Sequence, residues 1–216
     1  MKKKLLAIFL IVCVLAITIS TTSLAYFTDT KDIENTFAVG DVTIKLDEAK
    51  VQVVDKHAQL VAGQRTEENQ SYGNLYPGFT ITKDPTITNT GSEKAYVGAK
   101  VVISTTNGIT DANKHCFENL LKGGLLADTT NATVSKRINA NTYEIYIVYN
   151  AELANSLSVK LFETLSVSND YDNAKMEQME GMKITVTAYA VQSVGMTDAL
   201  SALQAAFDVF DHIPSN

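Results

Sequence analysis

Hydrophobic and polar residues alternate with a period of two over much of this chain, and this spacing predicts β-strands whose two faces meet different environments. The alternation is clearest in four long stretches and one short candidate, which lie at residues 95–103, 143–149, 157–167, 184–190 and 51–54. In the stretch 184–190 both faces are apolar, because Tyr189 and Val191 lie opposite the aliphatic face. That strand is therefore predicted to lie at the centre of a sheet.

Two further stretches predict less regular strands. Within residues 79–90 the even positions are largely Thr, which indicates a half-exposed strand, and Pro85 restricts it to a sheet edge or a bulge. Within residues 37–46 the alternation changes phase at Gly40-Asp41. A β-bulge at that point would absorb the extra residue.

Apolar residues at helical spacing predict two helices. The first covers residues 111–122, with Asp111 as its N-cap and Gly123-Gly124 as its stop signal. The second covers residues 197–211 and begins at Thr197, and its apolar residues recur every three or four positions. Both helices are minor elements beside the strands.

The remaining segments connect these elements. Residues 175–182 fit either a short helix or a loop, and the polar residues 64–73 predict a long loop. Turn signals separate about seven or eight short strands along the chain. This arrangement predicts an all-β fold with minor helices, organised as an antiparallel β-sandwich.

The N-terminus has the layout of a secretory signal peptide. Lys2–Lys4 supply the positive region, and Leu5–Ile19 is an apolar run without charge. Small residues at Ser23 and Ala25 predict cleavage after Ala25, which gives a signal peptide at 1–25 and a single domain at 26–216. The alternative is an uncleaved membrane anchor, since the 24 residues 5–28 carry no charge and are long enough to span.

Composition and charge narrow the classes of protein. The chain has 216 residues, of which 45% are hydrophobic, so it is long and apolar enough for one domain with its own core. Cleavage would leave 15 of the 18 basic residues against 24 acidic ones, a net charge of −9 that argues against nucleic acid as a partner. Cys116 would be the one cysteine of the mature chain, so no internal disulfide is predicted.

Several motifs carry a resemblance to a known family. They are Ala25–Thr30, Asn35–Gly40, Tyr76-Pro77-Gly78, Lys83–Ser92, Ala95-Tyr96-Val97 and, near the C-terminus, Ala188–Gln192. Together they resemble the TasA and camelysin (CalY) family of Gram-positive bacteria, whose signal peptides are cut by a SipW-type signal peptidase. The resemblance covers roughly residues 1–105 and the C-terminal ending, whereas residues 106–180 match only in pattern.

The resemblance implies a jelly-roll sandwich that is exported to the cell surface or the extracellular matrix. TasA-like members polymerise into biofilm fibres, and the segment freed by cleavage completes the sheet of a neighbouring subunit. Carried over, the donor segment runs from Tyr26 to Phe37, with Phe27, Ile33 and Phe37 as side-chain anchors. The implied partners are other copies of the chain and other matrix proteins. An intramolecular first strand, a loose tail or a monomeric adhesin remain alternatives.

Camelysin has been classed as a metalloendopeptidase, which makes peptidase activity a further alternative. Catalytic zinc needs about three protein ligands and usually an H-E-x-x-H helix, and the sequence has no such motif. Its three histidines, His57, His115 and His212, are predicted to be surface residues. His115 and Glu118 could share a metal on the predicted helix, but this pair is common by chance. The sequence therefore predicts no catalytic residue, no metal site and no cofactor.

Two other features suggest chemistry that an ordinary structural role explains as well. The oxygen-rich segment Asn169–Asn173 could bind calcium, but it lacks the Gly and Glu positions of an EF-hand loop, and a plain turn is favoured. Cys116 follows His115, yet neighbouring side chains on a helix point apart. Cys116 is therefore predicted to be a half-buried structural thiol.

Overall fold

A computed structural model describes residues 41–214, and residues 1–40 and 215–216 lie outside the described part. The described chain is mostly strand and forms antiparallel sheets that pack into a β-sandwich, which confirms the predicted all-β class. The strands are β1 Ile44–Val54, β2 His57–Thr66, β3 Thr80–Thr82, β4 Thr86–Asn89, β5 Ala95–Ser104, β6 Leu121–Lys122, β7 Ala132–Asn139, β8 Thr142–Tyr149, β9 Ser158–Lys160, β10 Thr164–Ser166 and β11 Lys183–Gln192. The helices are α1 Asn173–Gln178 and α2 Ala199–Ala206. Short 3₁₀ turns lie at Lys114–Cys116, Gly124–Leu126 and Asp208–Phe210.

One layer of the sandwich is a four-stranded sheet in the order β11-β5-β8-β7. Among the described strands, β5 and β8 occupy the centre and β11 lies at the edge, which differs from the central position predicted for 184–190. The reason is that α2 and the following 3₁₀ turn cover the outer face of this sheet. Tyr189 packs against Phe207 and Phe210, at ring-centroid distances of 5.1 and 5.3 Å. An edge strand covered on one side by a helix therefore has the apolar pattern of a central one.

The second layer contains β2-β1-β4-β9 and, next to it, β3-β10-β6. Strands β3 and β4 are two halves of the stretch predicted at 79–90, and β9 and β10 are two halves of the stretch predicted at 157–167. The two interruptions face each other, because Lys83 N donates to Glu163 O at 3.0 Å and Leu161 N donates to Pro85 O at 2.9 Å. Each predicted strand is therefore broken in its middle.

Strand β4 is the second half of the stretch 79–90, which was predicted as a half-exposed strand at an edge or a bulge, and it is neither half-exposed nor at an edge, whereas β3 ends its described sheet. Strand β4 lies between β1 and β9, and Thr86, Ile87 and Asn89 are buried. Pro85 lies in the break before the strand, where it removes no ladder hydrogen bond from β4. The alternating Thr residues are thus compatible with burial, since Thr86 Oγ1 donates to Asp84 O at 2.8 Å.

The hairpin β1–β2 also differs from the prediction. The short candidate at 51–54 is the end of the long strand β1, and the register changes between Ala49 and Val51. At the predicted bulge, Gly40 lies outside the described residues and Asp41 precedes the strand. Strand β2 was not predicted, and its last residues were assigned to the loop 64–73. The reason is that most of its side chains are exposed on both faces, so the sequence shows no alternation there.

The predicted helix at 111–122 does not form. The segment contains a 3₁₀ turn and β6, and its apolar residues Phe117, Leu120 and Leu121 enter the core from turns rather than from one helix face. Gly123, with φ of +81°, is the N-cap of another 3₁₀ turn, and Gly124, with φ of +57°, is its first residue, so neither glycine ends a helix. The spacings of three and one between these apolar residues fit turns as well as a helix, and they therefore did not identify a helix.

The C-terminal helix and the short segment before β11 were predicted more closely. Helix α2 is shorter than the predicted 197–211, and its N-cap is Asp198 rather than Thr197, since Asp198 Oδ1 accepts from Ser201 N at 2.9 Å. Helix α1 bears out the helical alternative for 175–182, although it ends at Gln178. Among residues 41–214 no helix is long and apolar enough to cross a membrane.

Candidate functional site

Strand β11 presents a free edge in the described part of the chain. It pairs with β5 over ten consecutive residues, from Lys183 opposite Ser104 to Gln192 opposite Ala95, without a register shift. No other described strand pairs with it, and its one charged residue is Lys183. A long, regular edge with little charge, no Pro and no bulge is the kind of edge to which another strand can add.

The inner face of β11 is open beside this edge. Residues Ile184, Val186, Ala188 and Ala190 point toward the core but remain half-buried. The corresponding residues of the neighbouring strand β5, namely Val97, Ala99, Val101 and Ile103, are 0% exposed. The difference arises because β5 has strands on both sides, and one more strand beyond β11 would cover the half-buried row.

A groove of about 1340 Å³ runs beside the first half of β11. One wall is formed by β11 residues 183–186 and the segment 176–182 that precedes them. The opposite wall is formed by β1 residues 46–48, by Thr66 at the end of β2 and by the loop 67–75 that follows it. The groove thus lies where the two layers of the sandwich separate, and both apolar and charged side chains line it.

An ion-pair network fixes the wall opposite β11. Arg65 donates from Nε to Asp47 Oδ1 at 2.7 Å, from Nη1 to Asp84 Oδ2 at 2.9 Å and from Nη2 to Thr86 Oγ1 at 2.8 Å. Asp47 and Asp84 are 8% and 6% exposed, so Arg65 supplies the charge that makes their burial tolerable. Burial opposes ionisation of Asp47, but hydrogen bonds from Arg65 and Lys45 outweigh it, and the pKa of Asp47 is lowered.

A second network attaches the loop 67–75 to β1. Lys83 Nζ, buried at 5% exposure, donates to Glu48 Oε2 at 2.6 Å and to the Tyr72 hydroxyl at 3.2 Å. Burial, together with the Glu48 carboxylate, raises the pKa of Tyr72, which keeps its hydroxyl protonated. The Gln70 amide accepts from Val51 N at 2.6 Å and donates to Ala49 O at 3.0 Å. The loop is therefore held to the strand by side chains that replace main-chain pairing.

The predicted cleavage and donor residues lie outside the described residues, and they stay predictions. They are Ser23, Ala25, Tyr26, Phe27, Ile33 and Phe37. The described chain begins with Asp41, whose N donates to Ser92 Oγ at 3.2 Å. Two residues after Ser92, Lys94 O accepts from Ser193 N at 3.1 Å, and Ser193 directly follows β11. Asp41 therefore lies at the end of the sandwich where β11 finishes.

The three histidines have separate surroundings. His57 contacts Tyr76 edge to face at a ring-centroid distance of 5.7 Å, His115 lies beside Cys116, and His212 contacts the Tyr146 ring edge to face at 4.0 Å. His212 is half-buried, so its prediction as a surface residue is wrong, and the predicted helix that would have paired His115 with Glu118 does not exist. Within residues 41–214 no three His, Cys, Asp or Glu side chains are grouped to hold a metal ion.

The segment Asn169–Asn173 and Cys116 have structural partners. Asp172 Oδ1 accepts from Lys175 N at 2.9 Å and thereby caps α1. Cys116 is 1% exposed, so it is more deeply buried than predicted. Its Sγ lies 3.5 Å from His115 Nε2, a contact that the expectation of a helix had excluded. Burial raises the pKa of the Cys116 thiol, which lowers its reactivity.

Comparison of the chain with protein-family models finds no match, and comparison with curated proteins finds none. The fold of residues 41–214 therefore defines the class of protein: an all-β sandwich, in whose described part the edge of β11 is unpaired. Sequence reasoning missed the groove itself and the role of Arg65 in its wall. One signal was available, because the charged pair Lys83-Asp84 interrupts the strand predicted at 79–90, and charged residues require partners when they are buried.

Proposed function

We propose that this protein is a secreted structural subunit of the cell surface or biofilm matrix, and that it forms fibres. The mature N-terminal segment of one copy adds as a strand to β11 of the next copy. The observation that carries the proposal is the ten-residue free edge of β11 with its half-open inner face. Main-chain hydrogen bonds along such an edge supply affinity, and side chains on alternate positions supply specificity.

The donor segment suits this edge in length and pattern. Residues 26–37 comprise twelve residues, and β11 comprises ten, which corresponds to about 33 Å of extended chain. Phe27, Ile33 and Phe37 are separated by even numbers of residues, so they share one face of an extended strand. That face would cover the half-buried row of β11 and the groove beside it.

The position of Asp41 is compatible with contact between copies. The chain enters the sandwich at the end where β11 finishes, and in the proposed assembly the segment before Asp41 leads from that end to a second molecule. Each copy would then donate a segment to the next and accept one from the copy before it. A head-to-tail contact of this kind does not close, and it generates a filament.

Electron microscopy of a chain that begins at Tyr26 tests this proposal. We expect fibres from that chain and none from a control with several extra residues before Tyr26, because the extension keeps the segment from entering the groove. A matched pair sharpens the test: Ile33→Lys places a charge on the inner face and stops assembly, whereas Glu34→Lys lies on the outer face and does not. Monodisperse particles from every variant would exclude assembly by this route and favour an adhesin.

Ionic strength is expected to accelerate assembly. The groove walls carry exposed acidic residues at Glu67, Glu68, Glu177 and Glu180, and the donor segment has three acidic residues and one lysine. These like charges repel one another, and salt screens the repulsion. The screening length is about 10 Å at 0.1 M salt. We expect the fibre growth rate, followed by light scattering, to rise several-fold between about 20 mM and 500 mM NaCl. A double variant Glu177→Gln/Glu180→Gln should show a smaller rise, and a rate that falls with salt would contradict the argument.

A further inference from the structure

Three of the five methionines of the chain form a row beside β11. Met179 N donates to Met176 O at 3.0 Å, and Met182 N donates to Met179 O at 3.1 Å. The first bond closes the end of α1, and the second closes a turn through Gly181. Met176, Met179 and Met182, here called the methionine row, all line the groove.

The backbone that carries the methionine row is held in place. Gly181 has φ of +64°, and a Cβ at this position would collide with Thr106 Oγ1. Thr106 N also donates to Glu180 O at 2.9 Å, which ties the turn to the loop after β5. The backbone between α1 and β11 is thus fixed, and it sets the positions from which the three methionine side chains extend.

The methionine row is buried in the middle and accessible at its ends. Met179 is 3% exposed and belongs to the main core, whereas Met176 and Met182 are half-buried and pack against that core. The fourth described methionine, Met196, is 42% exposed and is not among the groove residues. The groove therefore contains two thioethers that a bound side chain or a small oxidant can reach, and the chain provides a matched control outside it.

Thioethers are well suited to binding an aromatic side chain. A methionine side chain adapts its shape to its neighbours, and its sulfur makes favourable contacts with the edge of an aromatic ring, worth about 0.3–1.5 kcal/mol each. We infer that the methionine row is the subsite that receives an aromatic side chain of the incoming strand, and that oxidation of Met176 and Met182 by a peroxide closes it. This inference rests on the proposed function, because the aromatic guests are Phe27 and Phe37 of a neighbouring copy.

The oxidation is a balanced two-electron reaction. The methionine sulfur attacks one peroxide oxygen, the O–O bond breaks, and the sulfur keeps that oxygen as a sulfoxide. The other oxygen leaves as water after proton transfer, so the thioether is oxidised and the peroxide is reduced. The sulfoxide oxygen is a strong hydrogen-bond acceptor, and its desolvation under an aromatic ring is unfavourable.

Peroxide treatment of the chain that begins at Tyr26 tests the inference. The protein is treated with hydrogen peroxide, the excess is removed with catalase, sulfoxides are mapped by mass spectrometry, and fibre yield is measured. We expect the wild type to lose at least tenfold in yield and to recover after methionine sulfoxide reductase. Met176→Leu/Met182→Leu should assemble with or without peroxide, whereas Met196→Leu should remain as sensitive as the wild type. Equal losses in the double variant and the wild type would overturn the inference, as would full assembly with mapped sulfoxides at both positions.

A second measurement separates this inference from the proposed function. The full chain labelled with ¹³C at the methionine methyl groups is titrated with a peptide of residues 26–37, and NMR reports each methyl. We expect the Met176 and Met182 signals to shift and the Met196 signal to stay. If the chain forms no fibres but these two signals shift, fibre formation fails and the subsite stands. Saturation without a shift at Met176 and Met182, or no binding at all, overturns the subsite.

Discussion

Substitution of Val186 by Lys is expected to abolish fibre formation, and substitution of the next residue, Thr187, by Lys is expected to leave it intact. Val186 lies on the inner face of the edge strand β11, half-buried, and it lines the groove. Thr187 lies on the opposite face and is exposed. A Lys at position 186 would place a charge between β11 and the incoming strand, where neither its desolvation nor its packing is compensated.

The measurement is fibre yield by electron microscopy and by sedimentation, for chains that begin at Tyr26. Both variants are expected to fold, because a Lys at a half-buried position can reach solvent with its charged end. Thermal denaturation of both variants checks this. If Val186→Lys folds and still forms fibres at the wild-type yield, the edge of β11 is not the acceptor. If Thr187→Lys also fails although it folds, the effect of added charge is general and the argument from the inner face is wrong.

Substitution of Arg65 by Leu is expected to lower the free energy of unfolding by about 3 kcal/mol at neutral pH. The change leaves two buried carboxylates, Asp47 and Asp84, without the guanidinium that bonds both of them. Breaking a buried ion pair from one side costs about 3–5 kcal/mol, and the lower value applies because the Arg65 side chain is 37% exposed. Denaturant titration of both proteins measures the difference.

The pH dependence of this difference gives a further check. The pKa of Asp47 is lowered in the folded wild type, so its stabilising contribution is present above the ordinary carboxylate pKa and is lost as the pH falls. The gap between the wild type and Arg65→Leu should therefore narrow below about pH 4. Lys45→Leu is the matched control, since Lys45 also bonds Asp47, at 3.0 Å, but from the surface. A loss in Lys45→Leu as large as that in Arg65→Leu would contradict the assignment to buried charge.

The sequence predicted best those strands that have one buried face and one more polar face. Strand β5 has a buried inner face and Lys100 on its outer face, so its alternation is clear. Strand β2 has mostly exposed side chains on both faces, and nothing in its pattern distinguishes it from a loop. Strand β11 was recognised as a strand, but its place in the sheet depends on α2, which follows it in the chain and covers Tyr189.

The candidate site was less predictable, because its residues meet only in the folded chain. Arg65 bonds Asp47 and Asp84, which lie 18 and 19 residues away along the chain. No local sequence pattern predicts a contact between residues so far apart. The spacing of Met176, Met179 and Met182 is visible in the sequence, but a spacing of three fits an ordinary helix as well as a row of turns. What makes these methionines a wall of the groove is the edge strand beside them.

The strand ladders of this molecule are unequal in length, and this inequality has a mechanical consequence. The β11–β5 ladder joins ten residue pairs, whereas β10 is joined to β3 by three pairs and to β6 by two. Under load or partial denaturation, short ladders open before long ones, since fewer bonds share the force. The β3-β10-β6 sheet is therefore expected to yield first, while the β11–β5 ladder stays closed. In the fibre proposed above, local yielding of this small sheet would let a subunit stretch while the junction at β11 stays closed.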